Sequence, residues 1–404
     1  MVEVEVTTSA GQLGRGAAPT GQSVGMYEAY VLRDENPNEY KGLSVHKAVD
    51  VVKNVIAPAL IGLDVRNQSV LDGVMIELDG TAQKNKLGGN AIYSTSVACL
   101  RAAAAANGQT VYQHLAKSEL ATIPVPSFNM VNGGRYSDLF QPFNEFIVMP
   151  YKAESITEAV EIGVEVFDKL GSVIQKFTGR APGTASSYGY IAPSADPRTV
   201  LALMQEAVDA SGYTDKVAFA LDCAASETYD RDTQTYELLN ERLTSKELVE
   251  FASGLTREFN LVFIEDLLDE NDWSGFSHAV RELTRTIILG DDLIVTNPAF
   301  LDRAIEERAV DGFILKPNQV GTITEALETY DKAVRHGLLA IPSGRSGGVI
   351  DDVVMDLSVG LQVPFQKNGA PRSGERLEKL NFLMRAGDTI PDSRLADVAS
   401  LVRF

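Results

Sequence analysis

The sequence predicts an α/β fold in which a small α+β domain precedes a closed barrel of alternating strands and helices. From about residue 123 onward, short apolar runs alternate with amphipathic stretches of helical length, a pattern that favours parallel pairing of the strands. The number of these units favours a closed barrel over an open sheet. With 404 residues, the chain is long enough for two or more domains.

Residues 1–121 are predicted to form the α+β domain and residues 122–404 the barrel. Strict Val-Glu alternation over residues 2–6 is typical of a half-buried strand, and residues 27–32 are expected to pair with it across a loop at 11–25. Helices are expected at 45–60, with Ser44 as the N-cap, at 69–78 and at 90–107. The barrel should have strands at 143–148, 217–221, 261–264, 286–290 and 312–315, and helices at 155–177, 198–211, 245–259, 297–308 and 322–336.

Composition excludes several classes of partner. A net charge of −19 argues against a nucleic-acid or anionic-membrane surface, although metal ions and local cations could still admit a small anionic substrate. Cys99 and Cys223 are expected to be packed thiols, because both have apolar neighbours. No apolar run approaches the ~20 residues of a membrane span, so a cytoplasmic location is expected.

Charged residues stand at the ends of four successive predicted strands. Asp222, Glu265 and Asp291 each follow an apolar run, and Lys316 follows Gly312 to Leu315 and precedes a proline. In a parallel barrel these ends converge on one face, where three carboxylates would raise one another's pKa unless a cation lay between them. Mg²⁺ is the hard ion that such oxygen ligands favour. The alternative is that each acid caps the helix that follows it.

Lys316 beside such a site could act as a general base. A nearby metal ion and a second cation, for which Lys367 is the candidate, would lower its pKa, so that neutral Lys316 could remove a proton α to a carboxylate. The alternative is a structural salt bridge between Lys316 and Asp291. Residues 343–348 (Ser-Gly-Arg-Ser-Gly-Gly) offer Arg345, hydroxyls and glycine amides that suit phosphate or phosphonate, or they form a plain glycine-rich turn.

Several short motifs follow one another in order through nearly the whole chain. They are Gly21-Gln22-Ser23-Val24-Gly25, Leu87-Gly88-Gly89-Asn90-Ala91-Ile92, Pro124-Val125-Pro126-Ser127-Phe128-Asn129, Asn132-Gly133-Gly134, Asn144-Glu145-Phe146, Leu221-Asp222-Cys223-Ala224-Ala225-Ser226-Glu227, Ile264-Glu265-Asp266, Gly290-Asp291-Asp292, Leu315-Lys316-Pro317-Asn318-Gln319 and Lys367-Asn368-Gly369-Ala370-Pro371. With these motifs the chain resembles the enolase family. The resemblance implies an α+β capping domain over an eight-stranded α/β (TIM-like) barrel, and a homodimer or higher homo-oligomer.

The resemblance also implies roles for individual residues. It makes Asp222, Glu265 and Asp291 the ligands of the higher-affinity Mg²⁺, Ser23 a ligand of a second metal ion, Lys316 the general base, Lys367 the second lysine, Glu145 a catalytic glutamate, and Arg345 and Ser346 phosphate contacts. Asn144 and Tyr188 are further candidate substrate-binding residues.

Three positions depart from the family pattern. Tyr188 in Ser186-Ser187-Tyr188-Gly189-Tyr190 stands where the family has its second catalytic glutamate, which protonates the leaving hydroxide. Tyr136 and Gly344 stand where the family has active-site histidines. The groups that remove the α-proton are thus kept, whereas those around the β-hydroxyl and part of the phosphate side are replaced.

These departures favour a specialised enzyme as the first hypothesis. It would act on 2-phosphoglycerate or a phosphonate-bearing analogue, as the carboxyphosphonoenolpyruvate synthases of phosphonate biosynthesis do, with Gly344 and Gly348 making room for a larger phosphorus substituent. One alternative is an ordinary enolase that converts 2-phosphoglycerate to phosphoenolpyruvate in glycolysis. Another is a non-catalytic scaffold that has kept the barrel.

Overall fold

The structure is a computed structural model that describes all residues except 22, 23, 137 and 138; the side chains of Arg135 and Tyr136 also lie outside the description. Two strands, five α-helices and two short helical turns form the first part of the chain. They are β1 (Glu3–Thr7), β2 (Leu13–Ala17), a 3₁₀ turn (Tyr40–Gly42), α1 (His46–Val51), a π-helical turn (Val52–Ile56), α2 (Ala57–Leu60), α3 (Gln68–Asp79), α4 (Gly89–Ala106) and α5 (Val111–Leu115).

β1 is the strand expected from the Val-Glu alternation, but its predicted partner is wrong. It pairs with β2, inside the predicted loop, and residues 27–32, all of them described, form no strand. β2 lies directly on α4: a Cβ on Gly14 would collide with the carbonyl oxygen of Ala98, and one on Gly16 with that of Ser94. Because glycines stand where apolar side chains would mark a strand, the alternation pattern could not reveal β2.

The predicted cap of the first helix is also corrected. Val45, not Ser44, occupies the N-cap position of α1. The first free amides are instead bonded by a side chain from outside the helix, since Asp34 accepts hydrogen bonds from the amides of His46 at 2.8 Å and Lys47 at 2.7 Å.

The remaining elements alternate between strands and helices. In chain order they are β3 (Thr122–Ile123), β4 (Val125–Tyr136), β5 (Leu139–Met149), α6 (Ile156–Thr178), β6 (Tyr190–Ile191), α7 (Pro197–Ala210), β7 (Ala218–Asp222), a 3₁₀ turn (Ala225–Glu227), β8 (Tyr229–Asp230), β9 (Thr235–Leu238), β10 (Glu241–Leu243), α8 (Ser245–Glu258), β11 (Leu261–Glu265), α9 (Trp273–Glu282), β12 (Ile287–Gly290), α10 (Pro298–Glu307), β13 (Gly312–Leu315), α11 (Pro317–Val320), α12 (Ile323–Arg335), β14 (Leu339–Pro342), α13 (Val354–Gly360), β15 (Phe365–Lys367), α14 (Gly374–Thr389) and β16 (Arg394–Leu395). The division after residue 121 stays a proposal.

Eight strands form the wall of a closed barrel, as predicted. Their order is β14, β13, β12, β11, β7, β5, β4 and β15, and a parallel bridge between Ser343 and Lys367 joins the two ends. The expectation of uniformly parallel strands is wrong at β5, which runs antiparallel to both β4 and β7. β4 ends at residue 136 and β5 begins at 139, so the connection is too short for a crossover helix and the chain must reverse.

The strands that bear the predicted site residues are completely buried. Every residue of β7, β11, β12 and β13 is buried, and their apolar side chains form the core with the surrounding helices. This rigid wall fixes the positions of the side chains at the strand ends. Among the described helices, none is long and apolar enough to cross a membrane.

Candidate active site

Four acidic side chains meet at one end of the barrel. Asp222 and Glu265 are the last residues of β7 and β11 and lie side by side in the register of these strands. Asp291 directly follows β12, and Glu145 on the antiparallel β5 lies beside Asp222 on its other side. Glu145, Asp222 and Asp291 line a cavity of about 280 Å³, and Glu265 is fully buried. The structure therefore brings together the three acids predicted from the strand ends and adds Glu145, which only the resemblance indicates.

Lys367, the last residue of β15, brings an ammonium into this group. Its Nζ contacts Glu265 and lies 3.2 Å from Asp222 Oδ2 and 3.6 Å from Glu145 Oε2. Burial alone would lower the pKa of Lys367, but the charges of Asp222, Glu265 and Glu145 raise it well above its usual range. Lys367 therefore stays charged and offsets part of the repulsion among the acids.

Whereas burial alone would lower the pKa of the lysine, it raises the pKa of two of the carboxyl groups. It raises the pKa of Glu145 and of Glu265, and the Lys367 charge reverses this only in part. Glu145 Oε1 accepts a hydrogen bond from Asn129 Nδ2 at 3.2 Å. Glu265 Oε1 is buried and has no hydrogen-bond partner within the described part of the chain. Such an oxygen is costly to bury alone, and a bound cation would satisfy it.

Lys316 directly follows β13, and its ammonium contacts Asp291 Oδ2. Asp291 Oδ1 accepts a hydrogen bond from Gln319 Nε2 at 2.9 Å. Burial would lower the pKa of Lys316, but Asp291 and Glu265 raise it above its ordinary value. In this arrangement the carboxylates outweigh the effects of burial and of the neighbouring cations on Lys316. The lowered pKa is predicted for a site that holds a metal ion, and it stays a prediction.

Two acids that the sequence analysis did not select join the site. Asp266, Asp291 and Asp292 each present a carboxylate oxygen, and these oxygens lie within 4.8 Å of one another. Asp266 also accepts hydrogen bonds from the amides of Asp291 and Asp292, both at 2.8 Å. All three line the cavity, and the sequence pattern could not show that both acids of the adjacent pair Asp291 and Asp292 reach it. Carboxylate oxygens at this density are the donors that hard divalent ions prefer.

The predicted phosphate contacts lie at the same end of the barrel. The guanidinium of Arg345 donates hydrogen bonds to Glu28 Oε2 at 2.6 Å and to Glu28 Oε1 at 3.0 Å, and both side chains are buried. Glu28 Oε1 also accepts the amide of Gly25 at 2.9 Å. Arg345, Ser346 and Asn144 line the cavity. Glu28, missed as a site residue, thus ties the N-terminal segment to the predicted phosphate site.

Tyr188 lies apart from these groups. The residue is 40% exposed, and the guanidinium carbon of Arg376 lies 4.8 Å from the centre of its ring. Ser186 and Ser187 line the cavity, but Tyr188 does not. Ser23 and the side chain of Tyr136 lie outside the described residues, so what the sequence predicted for them stays a prediction.

Comparison with known proteins agrees with this arrangement. The family model described as "Enolase, N-terminal domain" matches residues 1–115, and the one described as "Enolase, C-terminal TIM barrel domain" matches residues 120–400. The enolase of Methanococcus aeolicus is 40% identical over 390 residues, which cover 96% of this chain and 91% of that protein. The enolase of Methanopyrus kandleri is 40% identical over 388 residues, which cover 95% of this chain and 91% of that protein. The enolase of Methanococcus maripaludis is 38% identical over 396 residues, which cover 98% of this chain and 93% of that protein.

These relatives favour the ordinary-enolase alternative over the phosphonate-specialised hypothesis, for which the comparisons offer no support. Both family models together span nearly the whole chain. The chain therefore belongs to the enolase family and is an enzyme of the enolase superfamily, of the lyase class.

Proposed function

We propose that the protein converts 2-phosphoglycerate to phosphoenolpyruvate in a reaction that depends on Mg²⁺. The observation that carries this proposal is the placement of two buried ammonium groups, Lys316 and Lys367, beside separate carboxylates in one cavity. The names of the relatives agree with it. A small acid that carries both a carboxylate and a phosphoryl group matches the mixture of acids and cations in the cavity.

Asp222, Glu265 and Asp291 are the residues proposed to hold the ion. They fit it because their donors are carboxylate oxygens and because Glu265 Oε1 is buried with no hydrogen-bond partner in the described residues. When bound, Mg²⁺ would supply positive charge that stabilises the enolate oxygens, and its charge beside Lys316 would lower the pKa of that lysine.

The residues of the chain then share the proton transfers. Lys316 Nζ takes the proton from C2 of the substrate, and Lys367 holds the substrate carboxylate. The C3–O bond breaks as the new C2–C3 double bond forms, and the departing hydroxide takes a proton and leaves as water. Glu145 is the proposed donor of that proton, because burial raises its pKa and it lines the cavity, whereas Tyr188 does not.

The test is to incubate the purified protein with Mg²⁺ and 2-phosphoglycerate and to follow phosphoenolpyruvate by its ultraviolet absorbance. Lys316→Ala should abolish product, whereas Lys176→Ala, which removes a lysine that is 78% exposed, should leave the rate unchanged. Lack of product from the unaltered protein would contradict the proposal.

Solvent deuterium exchange at C2, followed by NMR, separates the remaining hypotheses. A scaffold exchanges nothing, whereas a protein with a working Lys316 exchanges the proton even when hydroxide does not leave. The phosphonate-specialised hypothesis would return only if exchange occurred without dehydration. A homodimer is also part of the proposal, and light scattering of the purified protein tests it.

A further inference from the structure

The space beside Gly344 is filled by a lysine from another element. A Cβ at position 344 would collide with the ammonium of Lys379 on α14 and come within 3.3 Å of Asp352 Oδ2. The φ angle of Gly344 lies outside the left-handed region, so its backbone would accept other residues. The Lys379 side chain, rather than the backbone, therefore explains why a glycine stands at position 344.

Lys379 is a buried cation without a close partner. Its side chain is 3% exposed, yet it lines the same cavity as Lys316. The nearest carboxylate oxygen, Asp352 Oδ2, lies 3.9 Å from its Nζ, which is beyond hydrogen-bond distance, and that oxygen has no hydrogen-bond partner among the described residues. Burial of an ammonium without hydrogen bonds is unfavourable, so this arrangement leaves its donors available to a ligand.

Each of the other cations that line the cavity makes at least one hydrogen bond, although the buried Nη1 of Arg376 has no hydrogen-bond partner among the described residues. Lys316 contacts Asp291, Lys367 contacts Glu265, Arg345 donates to Glu28 and Arg376 donates to the carbonyl oxygen of Ser346 at 3.3 Å. Within the described part of the chain, Lys379 is thus the cavity-lining cation whose ammonium makes no hydrogen bond.

The position of Lys379 indicates which part of a substrate it would meet. Arg376 and Lys379 are three residues apart on α14, so they lie on one face of the helix. Arg376 bonds to the backbone at Ser346, and Lys379 lies against Gly344. Both therefore face the segment 343–346, which also carries Arg345.

We propose that Lys379 donates a hydrogen bond to a phosphoryl oxygen of the substrate and supplies positive charge there. This role rests on the proposed function for the identity of the substrate. A dianionic phosphoryl group gains from each further charge-assisted hydrogen bond, and Lys379 adds one to those of Arg345 and Ser346.

The first test measures binding of inorganic phosphate by calorimetry, so that it does not depend on turnover. Lys379→Met should weaken phosphate binding about tenfold or more, because a charged hydrogen bond is lost. Lys379→Arg should keep most of the affinity, and Lys169→Met, which changes an exposed lysine on α6, should keep all of it. In turnover of 2-phosphoglycerate, Lys379→Met should raise KM by a larger factor than it lowers kcat.

The second test uses the contact between positions 344 and 379. In the unaltered protein, Gly344→Ala should displace the ammonium and weaken phosphate binding. In the Lys379→Met background the same change should have little effect, because the colliding Nζ is gone. A merely structural lysine would not produce this coupling in affinity. Repeating the measurements with Asp352→Asn removes the buried carboxyl group that Lys379→Met would leave behind.

The outcomes separate the two proposals. If a folded Lys379→Met variant binds phosphate with an affinity within twofold of that of the unaltered protein, the role of Lys379 is overturned, even when dehydration is normal. Failure of the unaltered protein to bind phosphate overturns it as well. If 2-phosphoglycerate is not dehydrated but phosphate binding depends on Lys379, only the proposed function fails.

Discussion

Replacement of Lys367 by methionine tests the charge balance on which the whole site depends. Lys367→Met keeps most of the side-chain volume but removes the ammonium, and leaves Asp222, Glu265 and Glu145 facing one another. At an effective dielectric constant of about 20, unit charges about 3–4 Å apart interact by roughly 4–5 kcal/mol. Loss of one partner of a buried ion pair typically costs about 3–5 kcal/mol, and we expect a destabilisation of that size.

The assay is urea unfolding in the presence of EDTA, followed by the fluorescence of Trp273. This residue is the single tryptophan of the chain, and it lies on α9 in the barrel. Lys176→Met serves as the matched control, because its ion pair with Glu206 has a lysine that is 78% exposed. A surface pair of this kind contributes about 0–1 kcal/mol. Mg²⁺ should stabilise Lys367→Met more than the unaltered protein, since it supplies charge to the acids that the lysine has left.

Two results would refute this reasoning. A midpoint for Lys367→Met equal to that of Lys176→Met would show that the acids do not need the ammonium. Equal stabilisation of Lys367→Met and the unaltered protein by Mg²⁺ would show that the ion does not bind where the lysine lies.

Three further predictions concern other parts of the molecule. Burial raises the pKa of Asp356 to about 7, so its contribution to stability is complete below the unfolded value of 3.8 and is lost as pH rises through about 7. As pH rises between these limits, the free energy of unfolding of Asp356→Asn should therefore increase relative to that of the unaltered protein by up to ~4 kcal/mol. Urea unfolding at several pH values measures this difference. Burial raises the pKa of Cys99 to about 12 and that of Cys223 well above its usual range. A thiol reagent should therefore label neither cysteine in the native protein and both after denaturation. Rapid labelling of the native protein would contradict this burial. Gly14→Val should lower the thermal midpoint, because its side chain would collide with α4, and an unchanged midpoint would show that β2 does not lie on that helix.

The strand-end acids could be predicted because their positions depend on one rule. Parallel strands end at the same face of a barrel, so an acid that follows an apolar run must reach that face. Asp222, Glu265 and Asp291 obey this rule, and so does Lys316. Neither composition nor spacing placed Glu145 there, because β5 runs the other way; only the resemblance pointed to it.

What the sequence could not show depends on contacts between distant segments. The pKa of Lys316 follows from its contact with Asp291 and not from the residues beside it in the chain. The pairing of Arg345 with Glu28 joins residues 317 positions apart. Lys379 fills the space beside Gly344 from a helix that the sequence patterns did not identify. Each of these contacts requires the closed barrel before it exists.

Lys367 takes part both in the bridge that closes the barrel and in the ion pairs of the site. Ser343 and Lys367 join β14 to β15 and thereby turn a sheet into a ring, and the same lysine holds the acids together. Anything that draws the Lys367 ammonium away from its carboxylates also pulls at this junction. Amide hydrogens of residues 365–367 should therefore exchange with solvent faster when the cavity is empty than when it is filled. We therefore expect occupation of the site and closure of the barrel to be coupled.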